Sequence, residues 1–314
     1  MKHLLSLESL SRDEILAILD LAVKMKATRG RHEAHPLRHQ CWALMFSKSS
    51  TRTRVSFEVG IRELGGDVFF LAADDIQLGR GEPIADTARV MGRMCHGAVI
   101  RTFAQSDVED FAKFSGIPTI NALTDGEHPC QILADLQTIV EKLGAFSGKV
   151  VTYIGDGACN VPCSWLWAAA KLDFELRIAA PVHYQPDPAV VARAFPGWKS
   201  GQGTNPGGGR LVITEDLRAA VAGADVLYTD VWVSMGKEKE AEYRMAQLGA
   251  YQIDDALVAR AKSGALVMHC LPAYRGKEIT AEVFEAHSGT IFTQAENRLH
   301  AQKAILSLVA TAKR

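Results

Sequence analysis

The chain has 314 residues, 47% of them hydrophobic and 23% charged, a balance that supports a sizeable packed core and excludes an intrinsically disordered protein. Its formal net charge of -1 supplies no general basic field for nucleic acid, and no uninterrupted apolar run reaches membrane-spanning length. Neither a nucleic-acid nor a membrane partner is therefore expected. The six cysteines (Cys41, Cys95, Cys130, Cys159, Cys163 and Cys270) show no C-x-x-C and no paired zinc spacing, which suits reduced thiols in a cytosol. Met1 to Leu5 starts like a signal peptide but turns acidic at Glu8 without an adequate apolar region, so a soluble, cytoplasmic protein is expected.

Ser11-x-x-Glu14 is a capping-box pattern, with Ile15, Leu16, Ile18, Leu19, Ala22 and Val23 forming a helical face behind it. Cys41 to Phe46 reads as a buried strand, and the helix after it takes Val55, Phe57, Ile61 and Leu64 as its apolar face and Gly65-Gly66 as its stop. Between them lies Ser47-Lys48-Ser49-Ser50-Thr51-Arg52-Thr53-Arg54, which puts hydroxyls and guanidinium groups at a helix N-terminus. Unpaired N–H groups and the positive dipole end favour an anion there, and Arg52 can hold a phosphate through two N–H groups. A solvated basic turn capped by serine is the alternative for this stretch alone.

A short strand near Val68 to Leu71, a polar loop over 72–82 and a helix started by Pro83 follow. Strands are expected at Ala98 to Ile100 and Ile117 to Ile120, with a helix near 107–115 between them and another from His128 to about Gly144. The second half repeats the alternation. Strands are expected at Lys149 to Ile154, Leu176 to Ala179, Leu211 to Ile213, Val226 to Tyr228 and Leu266 to Met268, and a helix around Trp165 to Leu172. The Gly-rich stretch Ser200 to Gly209 reads as a mobile loop without visible chemistry, and Glu296 to Arg314 as one amphipathic helix. Repeated strand–helix alternation implies α/β architecture: two doubly wound parallel-sheet domains, residues 1–143 and 144–293, with ligands at the carboxyl ends of strands.

Unusual polar residues gather at those strand ends: Arg101, Asp230, His269-Cys270, and His128 at a helix start. Each alone is compatible with a structural role. Together with Arg52 and Arg298 they describe an anion pocket. Two other patterns carry less. Gly155-Asp156-Gly157 follows a strand like a dinucleotide fingerprint, but Asn160 stands where a third Gly or Ala belongs and the next strand ends without an acid for a ribose. His32, His35 and His39 have helix-like metal spacing, but Pro36 interrupts them and a solvated loop is the better reading.

These motifs resemble those of the aspartate/ornithine carbamoyltransferase family, in family order across essentially the whole chain. The phosphate-loop pattern stands as Ser50-Thr51-Arg52-Thr53-Arg54 and the carbamoyl-site pattern as His128-Pro129-Cys130-Gln131. Arg101 lies in Ile100-Arg101-Thr102-Phe103, and Gln77 in Gln77-Leu78-Gly79-Arg80-Gly81-Glu82. Asp230-Val231-Trp232-Val233-Ser234-Met235-Gly236, His269-Cys270-Leu271-Pro272 and Ala295-Glu296-Asn297-Arg298 resemble the ornithine branch. The aspartate branch typically has His-Pro-Leu-Pro-Arg at the second of these. The chain departs from the pattern at Cys159, Pro162 and Cys163, and its 200–209 loop looks like an insertion.

The resemblance implies transfer of the carbamoyl group of carbamoyl phosphate to the side-chain amine of L-ornithine, giving L-citrulline and phosphate, in arginine biosynthesis. The implied active site lies in the cleft between the domains, with helix 294–314 packing back on the first. For carbamoyl phosphate it implies Ser50, Thr51, Arg52, Thr53, Gln77, Arg101, His128, Pro129, Cys130, Gln131, Cys270, Leu271 and Arg298. For ornithine it implies Asn160, Asp230, Ser234 and Met235, and for catalysis Arg52, Arg101, His128, Gln131, Asp230 and Cys270. No cofactor or metal is implied, because the nucleophile is the substrate's own amine. A homotrimer is implied, with the Gln77 loop reaching a neighbour's site. Alternatives are another amine acceptor, such as putrescine or N-acetylornithine, a dinucleotide-dependent oxidoreductase, and a catalytically silent relative.

Overall fold

The computed structural model describes residues 1–72, 81–199, 201–234 and 236–312, so Gln77 and Met235 lie outside the described residues. The chain forms two units, Met1–Gln137 with Glu296–Arg314, and Thr138–Ala295.

In the first unit α1 (Arg12–Ala27) opens with the expected box: Ser11 Oγ accepts from the Glu14 N–H, and the Glu14 carboxylate accepts from the Ser11 N–H. There follow β1 (Cys41–Phe46), α2 (Thr51–Glu63), β2 (Asp67–Ala72), α3 (Ile84–Met94), β3 (Gly97–Arg101), α4 (Gln105–Ser115), β4 (Thr119–Leu123) and α5 (Pro129–Leu143). The sheet is parallel in the order β2-β1-β3-β4. Right-handed crossovers put the β1–β2 helix on one face and the helices leading to β3 and β4 on the other. Accordingly Ala43 and Met45 share a core with Ala88 of α3 and with Val108 and Phe111 of α4. The connections diverge at the carboxyl ends of β1 and β3, the topological switch point where ligands bind in such sheets. β4 begins at Thr119 rather than Ile117, because Pro118 has no N–H to give a ladder; its carbonyl accepts from Ala98 just ahead of the paired residues.

The second unit contains β5 (Val150–Ile154), α6 (Asn160–Lys171), β6 (Glu175–Ala179), α7 (Pro188–Ala194), β7 (Gln202–Thr204), β8 (Arg210–Thr214), α8 (Leu217–Val221), β9 (Val226–Thr229), α9 (Ala241–Leu248), α10 (Asp255–Val258), β10 (Leu266–His269) and α11 (Ala281–Ala286). Its sheet runs β10-β9-β5-β6-β8-β7, parallel except for β7. Ile154, Leu227, Val267 and Phe284 belong to one core cluster; Tyr153 stacks on Tyr228 at 5.9 Å, and Trp165 meets Tyr228 edge-on at 5.6 Å. The switch point here lies between β5 and β9. α6 starts at Asn160, earlier than the sequence indicated, because Pro162 sits in the first turn, where an N–H would be unpaired anyway.

The Gly-rich segment differs from its reading as a mobile loop. Gln202–Thr204 pairs antiparallel with β8, and the Asn205 amide donates to the Ala169 and Ala170 carbonyls, capping the end of α6. Its glycines permit that approach: a Cβ on Gly209 would stand 1.8 Å from the Ala169 oxygen. Gly209→Ala should therefore cost about 2–3 kcal/mol in urea unfolding, whereas Gly249→Ala, where a Cβ meets nothing within 4 Å, should stay within about 0.5 kcal/mol.

The last helix, α12 (Ser288–Thr311), is longer than expected and is not amphipathic in burial. His300, Gln302 and Lys303 are fully buried beside Ile305 and Leu306. Lys303 Nζ donates to Glu63 at 2.6 Å and lies 2.8 Å from His32 Nε2, and it packs over Gly60 of α2. His32 is thus drawn inward, while His35 and His39 remain exposed as a solvated loop requires. Burial, then Lys303, hold the His300 imidazole down to about 4. The unfolded chain binds that proton from about pH 6.5 downward, so stability is full above that value and falls as pH drops toward 4. Unfolding free energy should fall by on the order of 2 kcal/mol across this window, allowing for screening, and His300→Gln should flatten the decline. Denaturant titrations at stepped pH check this.

Candidate active site

In the first unit the site begins with how α2 starts. Ser50 is extended (φ -164°, ψ 110°), and its Oγ accepts from the Thr53 N–H at 3.3 Å, a cap worth about 1 kcal/mol. The first turn contains no acid, so the dipole and free N–H groups are left for an outside anion. Thr51 and Arg52 are exposed on that turn, whereas Thr53 is buried. Thr53 Oγ1 accepts from Ser50 Oγ at 2.9 Å and from Arg298 Nη2 at 3.2 Å. Arg298, 4% exposed and carried by α12, also donates to Gln131 Oε1 at 2.7 Å, and Gln131 donates on to Asp135 at 2.8 Å. With its amide turned to satisfy both neighbours, Gln302 accepts from the Arg298 Nη2 and Nε at 3.0 and 3.2 Å.

Arg101 ends β3, and His128 precedes α5; both are buried. Burial, followed by the Arg298 and Arg101 charges, holds the His128 imidazole well below its ordinary value. It is neutral near pH 7 and can offer an N–H without carrying charge. Ser50, Thr53, Arg101, His128, Gln131 and Arg298 are therefore brought together, with Arg52 on the exposed side. Pro129 and Cys130 are buried, and the Cys130 thiol turns away to donate to the Asn121 carbonyl at 3.3 Å. Burial pushes that thiol up to about 12, so it stays protonated and is no nucleophile near neutral pH. Sequence reasoning missed Lys48: it is 8% exposed, pairs with Asp125 and lies 4.2 Å from the Phe103 ring centre, bracing the β1–α2 loop. Its place inside the basic strand-to-helix loop was the available signal.

In the second unit, Asp230 follows β9 and Cys270 follows β10, two adjacent strand ends. Asp230 Oδ1 accepts from Cys270 Sγ at 2.9 Å and from the Val231 N–H at 2.7 Å. Burial pushes the Asp230 carboxyl up, while His269, the thiol and the Val231 N–H pull it down. His269 Nδ1 accepts from the Leu271 N–H at 2.8 Å, which leaves Nε2 to donate to Glu278 Oε1 at 3.1 Å. Leu271 holds a left-handed φ of 61°, a conformation uncommon for a non-glycine residue. The ligand-type atoms of Asp230, His269 and Cys270 lie within 4.8 Å of one another, but both ring nitrogens of His269 are already engaged. Asn160 is the first residue of α6, at the same switch point as Asp230, and Ser234 lies partly buried on the loop after β9.

The dinucleotide-like glycines have other work. A Cβ on Gly155 would sit 3.4 Å from the Trp232 indole nitrogen, and one on Gly157 would sit 2.9 Å from the Tyr184 carbonyl. Both glycines thus admit close packing within the protein, and the intervening Asp156 is paired with Arg244.

Comparison with known proteins identifies the family. Residues 2–141 match the family model described as aspartate/ornithine carbamoyltransferase, carbamoyl-P binding domain, and residues 147–309 match its Asp/Orn binding domain. An ornithine carbamoyltransferase of Akkermansia muciniphila is 54% identical over 316 residues, covering 100% of both chains. The solved ornithine carbamoyltransferase from Pyrococcus furiosus superposes with a TM-score of 0.92 at 44% identity, covering 100% of this chain and 98% of its own. The solved anabolic ornithine carbamoyltransferase from Campylobacter jejuni gives a TM-score of 0.90 at 38% identity, covering 100% of both. The chain belongs to the aspartate/ornithine carbamoyltransferase family.

Proposed function

We propose that the protein transfers the carbamoyl group of carbamoyl phosphate to the side-chain amine of L-ornithine, giving L-citrulline and phosphate. The observation that carries this reading is the buried Arg298 bonded to Thr53 and Gln131, beside Arg101 and a neutral His128, at a capped helix start that lacks its own acid. The phosphate dianion suits the Ser50 to Thr53 turn with Arg52 and Arg101. His128, Gln131 and Arg298 suit the carbamoyl end.

The δ-amine, once deprotonated, attacks the carbonyl carbon and forms a C–N bond. Charge gathers on the carbonyl oxygen, where the His128 N–H and the Arg298 guanidinium can donate as it grows. The C–O bond to phosphorus-bound oxygen then breaks, and phosphate leaves with the electron pair. The nitrogen gives up one proton, which balances the hydrogenphosphate formed. Neither an enzyme nucleophile nor a redox step enters.

Asp230 can pair with the α-ammonium of ornithine; Asn160, Ser234 and the backbone at Met235 can hold its carboxylate. The direction toward citrulline accords with the strongly activated acyl group of carbamoyl phosphate and with arginine biosynthesis. We also infer a homotrimer in which the Gln77 segment serves a neighbouring site; sedimentation equilibrium tests it. Among the described residues no helix is long and apolar enough to cross a membrane. The deciding assay incubates the purified protein with carbamoyl phosphate and ornithine. Citrulline and phosphate in equal amounts support the reading, and phosphate without citrulline removes it.

A further inference from the structure

Ladder pairing between β5 and β9 ends at Ile154 and Thr229. Beyond that point one chain runs to Asp156 and Asn160, and the other to Asp230 and Ser234. The backbone ladder does not fix the distance between these two loops. The Arg244 side chain bonds to both. Arg244, on α9 and 3% exposed, donates from Nε to the Trp232 carbonyl at 2.5 Å and pairs through Nη2 with Asp156. Its Nη1 lies 3.4 Å from Glu240, and the guanidinium sits 4.9 Å from the Tyr184 ring centre. Asp156, also 3% exposed, uses its other oxygen to accept from the Ala158 N–H at 3.0 Å, two residues before Asn160.

We propose that Arg244 is a positioning residue for the acceptor amino acid, setting the spacing between the Asn160 loop and the Asp230–Ser234 loop. The inference rests on the carbamoyl-transfer reading above, since it assigns both loops to the acceptor. A flat guanidinium with donors in fixed directions can hold a carbonyl on one loop and a carboxylate on the other at once, which a lysine ammonium cannot do with the same geometry. A misplacement of about 1 Å between groups that grip one small ligand costs on the order of a hundredfold. Carbamoyl phosphate, assigned mainly to the other unit, should be insensitive to it.

The test uses Arg244→Met, Arg244→Lys and the double variant Asp156→Asn with Arg244→Met, which leaves no orphan buried charge if the first variant folds poorly. KM for ornithine should rise by about tenfold or more in the methionine and double variants, with partial recovery in the lysine variant, while KM for carbamoyl phosphate stays within about twofold. Deuterium exchange at amides 156–160 and 231–234 should speed up by about tenfold in the same variants. Folded variants with unchanged ornithine KM, or with both KM values rising together, would overturn the proposal. Should the unaltered protein make no citrulline, the functional reading fails, and unchanged loop exchange would sink the brace independently.

Discussion

Arg52→Ala should lower kcat by ~10²–10³ and weaken carbamoyl phosphate binding while leaving the fold intact. The side chain is exposed on the first turn of α2, so little packing is lost with it. On the proposed function, the variant loses a two-pronged donor for the phosphate, whose charge grows as the C–O bond breaks. The Ser50 cap and the Arg298–Thr53 bond do not depend on Arg52, which keeps the rest of the turn in place. Steady-state kinetics on a variant with unaltered thermal unfolding decide the matter. A near-normal rate would withdraw the phosphate assignment of this loop.

Acceptor choice should show an effect of similar or larger size. Ornithine differs from putrescine by one α-carboxylate, so a site with partners for both α-groups leaves them unpaired when putrescine binds, commonly at a cost of ~10⁴ in specificity. N-acetylornithine cannot offer Asp230 a cation, and lysine overshoots the carbonyl by one methylene. L-norvaline keeps the α-groups without the δ-amine and should compete with ornithine once carbamoyl phosphate is bound. Asp230→Asn retains an oxygen able to accept from the Cys270 thiol and the Val231 N–H but removes the charge. It should cut kcat/KM for ornithine by roughly 10²–10³ and change carbamoyl phosphate affinity little. Measuring kcat/KM for the four amines settles the assignment: putrescine or N-acetylornithine matching ornithine would overturn it and leave carbamoyl transfer standing.

Much of the architecture was legible because its signals are local. The Ser11 and Glu14 cap, the apolar run of β1 and the strand–helix alternation each follow from residues a few positions apart. The same holds for Arg101, Asp230 and Cys270 at strand ends and for His128 at a helix start, places that follow from chain order alone. The order of the strands was not legible, and with it the two switch points, β1 with β3 in one unit, where the Ser47 N–H donates to the Arg101 carbonyl, and β5 with β9 in the other.

Composition, periodicity and motif order by themselves determined two α/β parallel-sheet domains and the residue types of an anion pocket, to which the family resemblance added the expectation of carbamoyl transfer. Tertiary structure alone decided the rest. Glu296 to Arg314 read as an amphipathic helix, but Glu63 and His32, 240 and 271 residues from Lys303, pair that lysine in a buried place. The Gly-rich stretch read as mobile until the end of α6 gave its glycines a carbonyl to approach. Arg244 carried no motif at all, and its role comes from Asp156, 88 residues away. A buried polar side chain is tolerable only when distant partners satisfy it, and sequence spacing does not encode where those partners will stand.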